Sequence, residues 1–170
     1  MLSYLLKEST RHLHKQVESV SPLRMGLLKE IPEAESILLF KEGMEGFWKY
    51  LALNSRGFKS SELILRAFRN TYDAEVLPKP NAEVSLQWIG TAYVLLGSAM
   101  GSSVLLKEFA QRGVKELTYF EQTSALIPVF MEYKSLIDRK QYTEKEVDEI
   151  LLHAKMVFET LVEQWSIVKI

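Results

Sequence analysis

Two glycines interrupt an apolar stretch that otherwise reads as a strong helix, in the run Gly97-Ser98-Ala99-Met100-Gly101-Ser102-Ser103. Each glycine in a helix interior costs about 1 kcal/mol relative to alanine, and a spacing of four puts both on one face. A chain that accepts this twice on one face needs something to approach the backbone closely there. Another helix can do so through small-residue packing, or a flat cofactor can lie against the helix. Either way, the segment belongs in a helical fold with a partner opposite it.

Helical spacing governs the rest of the chain as well. Leu2, Leu5, Leu6, Leu13, Val17 and Val20 line one face of a helix over 3–20, which Ser21-Pro22 breaks. A loosely patterned connection with Pro32 near its end leads to a helix from about Ser36. Its pattern carries through Phe47, Tyr50, Leu51, Phe58 and Leu63 to Phe68, and Gly57 is a point where it can kink. The stretch 70–81, with Pro78 and Pro80, reads as a loop. Residues 83–111 form one long helix or two meeting end to end, closed by Gly113. A helix over 124–138 tolerates Pro128 close to its first turn. Thr143-Glu144-Lys145-Glu146 is a capping box that opens a last helix running to about Trp165. The one strand-like run, 126–130, has a proline at its centre and can be at most an edge. The pattern predicts an all-α fold in one domain spanning 1–170.

Composition narrows the function. At 170 residues the chain can bury a core without metal or disulfide staples. A net charge of −1 argues against broad electrostatic binding to nucleic acid or anionic membranes. The absence of cysteine excludes disulfides, thiolate nucleophiles and iron–sulfur ligation. No leader pattern is read at the start, and no apolar run is expected to approach the roughly 18 residues of a spanning helix, so a soluble cytoplasmic protein that crosses no membrane is expected.

The chemical inventory is short. His12, His14 and His153 are the only imidazoles, and none has a glutamate three positions earlier, as di-iron carboxylate bundles require. No Gly-x-Ser-x-Gly elbow is present for a serine hydrolase. His14 has the most specific surroundings. Glu18 follows one helical turn later on the same face, where a carboxylate can orient a ligating imidazole, and a solvated His–Glu surface pair is the plainer alternative. Lys7 and Arg11 lie near the same face. His12 is offset and expected to be solvated, and His153 reads as a boundary residue.

The run Leu6-Lys7-Glu8-Ser9-Thr10-Arg11-His12-Leu13-His14-Lys15-Gln16-Val17-Glu18 resembles the opening helix of heme oxygenases, with His14 at the place of the proximal ligand. Tyr93-Val94-Leu95-Leu96-Gly97-Ser98-Ala99-Met100-Gly101 is similar to the distal helix of that family, whose glycines let it bend over the porphyrin. Gly57-Phe58 with Glu62, and Ala154 with Phe158, Leu161 and Trp165, resemble two further stretches in the same order along the chain. The similarity is weakest over 19–45 and 114–140. Gly101 is followed by Ser102 where many family members have a second glycine. Ser98 stands where the animal enzymes carry aspartate, as it does in many bacterial relatives, and the C-terminal membrane tail of animal forms is absent.

The resemblance implies a heme oxygenase-like helical bundle with heme between the first helix and a Gly-kinked distal helix. It also implies oxidative cleavage of heme to biliverdin, CO and ferrous iron with O2, heme being both substrate and cofactor. Electrons would come from a ferredoxin or flavodoxin with its reductase. On that reading His14 binds the iron with Glu18 behind it, and Lys7 and Arg11 meet the propionates. Phe158 lines the apolar pocket and Tyr93 supports the distal side. Gly97 and Gly101 bring backbone onto the macrocycle, while Ser98 and Ser102 serve, with water, as proton donors. Ordinary core packing is the alternative for Phe158 and Tyr93. A non-catalytic heme carrier on the same scaffold is the alternative for the whole. A thiamin-degrading enzyme on a similar scaffold is disfavoured, since that group uses a cysteine nucleophile.

Overall fold

The computed structural model of the protein describes residues 1–54 and 86–167. Seven helices are formed among the described residues, with no strand: α1 (Leu2–Val20), α2 (Pro22–Leu27), α3 (Glu33–Asn54), α4 (Leu86–Gln111), α5 (Thr118–Ser124), α6 (Ile127–Arg139) and α7 (Glu144–Ile167). Gly57, Phe58, Glu62, the expected continuation of α3 to Phe68 and the loop containing Pro78 and Pro80 lie outside the described residues.

Local chemistry explains most of the boundaries. Ser21 is extended (φ −62°, ψ 135°), which ends α1, and its hydroxyl accepts the Leu23 N–H while Pro22 takes the first turn of α2. A proline there lacks only an N–H that the helix leaves unpaired. The residues after Ser21 are therefore a short helix, where the weak apolar spacing had suggested an irregular connection. At the far end of α4, Gly113 adopts φ 79°. The Val114 N–H reaches the Phe109 carbonyl and the Gly113 N–H the Ala110 carbonyl, a left-handed C-terminal motif that favours glycine. Before α7, the Glu146 carboxylate accepts both the Thr143 N–H (2.7 Å) and its hydroxyl (3.0 Å), and the Glu146 N–H bonds back to that hydroxyl. These bonds hold the Glu146 carboxyl below its usual range.

The expected helix over 124–138 forms as α6, and the short α5 before it has no counterpart in the sequence reading. α5 ends at Ser124, and α6 begins at Ile127 with Pro128 in its first turn. The strand-like run 126–130 is thus the helical start of α6, because the proline that spoils a ladder fits an N-terminal turn.

α4 is the central element and packs on α7, α5 and α6, while α1 lies mainly on α7. Its buried residues include Trp88, Ile89, Ala92, Leu95, Leu96, Ala99 and Phe109, spread around the helix as a surrounded helix requires. Trp88–Gln111 is long and apolar enough to cross a membrane by length and composition, and half of it is buried inside the bundle. The expectation that no segment reaches that length is corrected on this point. Glycine, serine, threonine and tyrosine break the run of strictly apolar residues, but they add no charge between Leu86 and Leu106.

α4 and α7 cross closely at Gly90. A Cβ there would overlap the Ile150 carbonyl oxygen and stand 2.8 Å from the Ala154 nitrogen, so α4 and α7 meet backbone to backbone. Toward their C-termini the same helices end in one aromatic cluster. Phe40 of α3 lies 5.3 Å from Trp165 and 6.0 Å from Phe120, which stacks 5.7 Å from Phe109. α4 and α7 therefore run in the same general direction, from the Gly90 crossing to this cluster.

Candidate functional site

α1 presents two faces of opposite character. Leu2, Leu6, Thr10 and Leu13 are buried, whereas Lys7, Arg11, His14 and Glu18 are exposed on a stripe of their own. The amphipathic spacing dictates this, since residues three and four apart share a face. His14 Nδ1 is 3.3 Å from Glu18 Oε1, and both side chains are more than half exposed. The carboxylate lies on the Nδ1 side of the ring, so Nε2 is the nitrogen that a metal could take with Glu18 behind it. The His14 ring also meets the edge of Phe158, with centroids 5.9 Å apart and planes at 74°. Phe158 is buried and supplies an apolar wall beneath the imidazole.

The expected propionate partners sit on the same stripe. Arg11 donates to Glu8 at 2.6 Å in an exposed pair, a bond of little strength that a competing anion can replace. Lys7 is exposed. His12 is exposed, as its offset from the stripe predicts, and His153 is half-buried on α7. Among the described residues no group of three or more His, Cys, Asp or Glu gathers to hold a metal. Metal binding at His14 would rest on one protein nitrogen.

On α4 the glycines divide into two kinds. Gly90 is required by the α7 crossing. At Gly97 a Cβ would lie 3.5 Å from the Phe130 ring, an ordinary contact, and at Gly101 it would meet no described atom within 4 Å. Neither position needs glycine for the packing of the described residues. Met100, Gly101 and Val104 are exposed beside them. The seryl groups of this stretch are less available: the Ser98 hydroxyl donates to the Leu95 carbonyl at 2.6 Å, and Ser102 is buried.

Tyr93 stands one turn before Gly97. Its hydroxyl donates to the Ser3 carbonyl at 3.2 Å, and its ring meets Phe130 edge-on at 5.4 Å. Burial, and then the charge of Asp138, push its pKa up. Its hydroxyl therefore ties α4 to the start of α1. Ser3 and Tyr93 mark a common base from which α1 runs on to His14 and α4 to Gly97 and Gly101. The Ile150–Ala154 turn of α7 touches Gly90, and Phe158, one turn later, touches His14.

Sequence reasoning missed two contributors. Phe130 covers the Gly97 side of α4, and Asp138 holds Ser3 by two bonds. The apolar run containing Phe130 was a usable signal, whereas the pairing of residues 3 and 138 has no local signature. A separate open concavity lies where α2 and α3 meet the end of α4, around Lys29, Glu33 and Arg112, and none of the sequence-selected residues lines it. Comparison with family models, with curated proteins and with solved structures finds no match to this chain.

Proposed function

We propose that the protein binds heme through His14 and opens it oxidatively, as its resemblance to heme oxygenases implies. The observation that carries this reading is the pair of unexplained glycines. Gly97 and Gly101 each cost a helix about 1 kcal/mol, and the protein's own described atoms would tolerate a Cβ at both. A flat ligand lying on that face supplies the missing reason. The imidazole of His14, with Nδ1 held by Glu18 and Nε2 free, supplies the matching ligand from α1.

Bound heme, with O2 and electrons from an external ferredoxin or flavodoxin system, supplies the chemistry that yields biliverdin, CO and ferrous iron. The chain's own residues bind and orient. Glu18 fixes the tautomer of His14 and raises the basicity of Nε2. A neutral imidazole lacks the electron push of a thiolate, which suits attack on the macrocycle better than O–O cleavage. Lys7 and Arg11 would pair with carboxylates at the pocket edge, and Phe158 would give the ligand an apolar wall beside His14. Gly97 and Gly101 let α4 backbone approach the opposite face, and Ser98 and Ser102, with water, are the nearest candidates to supply protons.

A second reading, heme binding without turnover, is favoured by one contact. The Ser98 proton is directed to the Leu95 carbonyl, away from any ligand. Heme titration followed by aerobic reduction with ascorbate or a reductase system separates the two. Turnover gives a histidine-type Soret band that decays to biliverdin absorption, whereas a carrier keeps the band unchanged. Full heme affinity and an unaltered spectrum in His14→Ala would remove His14 from its proposed role.

A further inference from the structure

The first turn of α1 has no cap of its own. Met1 makes no side-chain bond there, and the turn contains no acidic residue. The N–H groups that open a helix carry partial positive charge and need acceptors. Asp138, in the last turn of α6, provides them from a distant part of the chain. Its Oδ1 accepts the Ser3 backbone N–H at 2.8 Å and its Oδ2 accepts the Ser3 hydroxyl at 2.6 Å. Tyr93 of α4 completes the arrangement by donating to the Ser3 carbonyl at 3.2 Å. A single buried residue of α1 is held at three polar atoms by two other helices.

We propose that Asp138 is a positioning residue: by capping α1 from α6 it sets where α1 lies relative to α4, and hence how far His14 stands from the Gly97–Gly101 face. Leverage supports this. α1 packs chiefly on α7 and only lightly on α4, and the Tyr93–Ser3 bond of this junction is a direct tie between α1 and α4. His14 lies eleven residues beyond Ser3, about 16 Å at 1.5 Å per residue. A tilt of about 10° at the junction would move the imidazole by about 3 Å on that lever arm. The consequence for His14 rests on the heme-binding reading, while the clamp itself does not.

The chain has no cysteine, so spin labels can be placed without background. Lys15→Cys with Val104→Cys reports α1 against α4, and Met156→Cys with Val104→Cys reports α7 against α4. All three positions are exposed. In Asp138→Ala the first distance distribution should shift and broaden while the second stays fixed. Asp138→Asn keeps an acceptor and Ser3→Ala keeps the backbone bond, so both should give intermediate shifts, and they carry the test if the alanine variant does not fold. Unchanged α1–α4 distances in these variants, or equal broadening of both pairs, would overturn the proposal. Where the positioned arrangement falls to about a tenth of the population, apparent heme Kd should rise about tenfold. The Soret band should move with it, and a core variant of equal Tm, such as Leu126→Ala, should leave that band in place. A shifted distance with unaltered heme affinity would overturn the link to His14. Failure of the unaltered protein to bind heme would overturn the heme reading and leave the distance result to judge the clamp alone.

Discussion

The base of α4 and its middle are built from similar residues and are held in opposite ways. Around Gly90 the helix is locked: α7 backbone presses on it, Tyr133 donates to the Ile89 carbonyl at 2.9 Å, and Tyr93 reaches Ser3. Two to three turns later, an added Cβ would meet one ring at ordinary distance at Gly97 and no described atom within 4 Å at Gly101. Glycine at the base answers a demand from within the fold, and glycine in the middle does not. The two regions should therefore respond to the same substitution with opposite sign. Gly90→Ala must force α4 and α7 apart, and an overpacked crossing of this kind costs about 3 kcal/mol. Thermal unfolding should show a drop in Tm of roughly 6–12 °C. A variant as stable as the parent would mean that the crossing can yield, and the contrast would lose its first half.

The next effect concerns the iron ligand proposed on α1. Glu18→Gln removes the charge that orients His14 but leaves an amide of similar size. Loss of such a partner typically weakens metal affinity by 10–100-fold, and heme titration should show a fall in that range with little change in Tm, since the pair is exposed. Unchanged affinity would leave the His14–Glu18 contact as a surface pair.

A smaller change then tests the glycines themselves. Gly101→Ala meets no described atom, so helix propensity alone predicts a gain of up to about 1 kcal/mol in denaturant unfolding. On the proposed reading the same variant should bind heme more weakly, because its methyl would stand on the face assigned to the ligand. Destabilisation instead would show that the fold itself uses this position.

Much of this contrast was legible in the residues, and the legible part is the local part. The apolar stripe from Leu2 to Leu13, the Ser21-Pro22 break and the Thr143–Glu146 box depend on neighbours within one turn, and α1 and α7 form where those signals place them. Gly97 and Gly101 also stood out, since two helix-interior glycines on one face are unusual by propensity alone. What spacing could not reveal was which glycine the fold requires. Nothing in the local spacing singles out Gly90, because Ile150 and Ala154 are sixty or more residues away in sequence and their approach is a tertiary fact. Pro22 misled for a related reason. A proline after serine reads equally well as a break or as a first turn, and the Leu23 contact with Ser21 decides it. The resemblance puts Tyr93 on the distal side, whereas its hydroxyl donates to the Ser3 carbonyl.

The finest test of the contrast is alkaline titration, because the locked base is rich in tyrosine and the open stretch has none. Burial, followed by the charges of Glu146 and Asp138, raises Tyr142 from 10.0 to about 12. Burial also raises Tyr133 well above its ordinary value and raises Tyr93. All three shifts favour the neutral hydroxyl in the folded state, so their contribution to stability is complete below the unfolded pKa of about 10. As pH climbs from about 10 toward 12 the unfolded chain ionises first, and that contribution is lost. Denaturant unfolding at about pH 9 and about pH 11 should therefore show weaker folding at the higher pH, and Tyr142→Phe should flatten part of that slope. The increment from Gly101→Ala, measured at the same two pH values, should not change. An increment that moved with pH would mean that the middle of α4 feels the packing at its base, and the two regions could no longer be treated as separately determined.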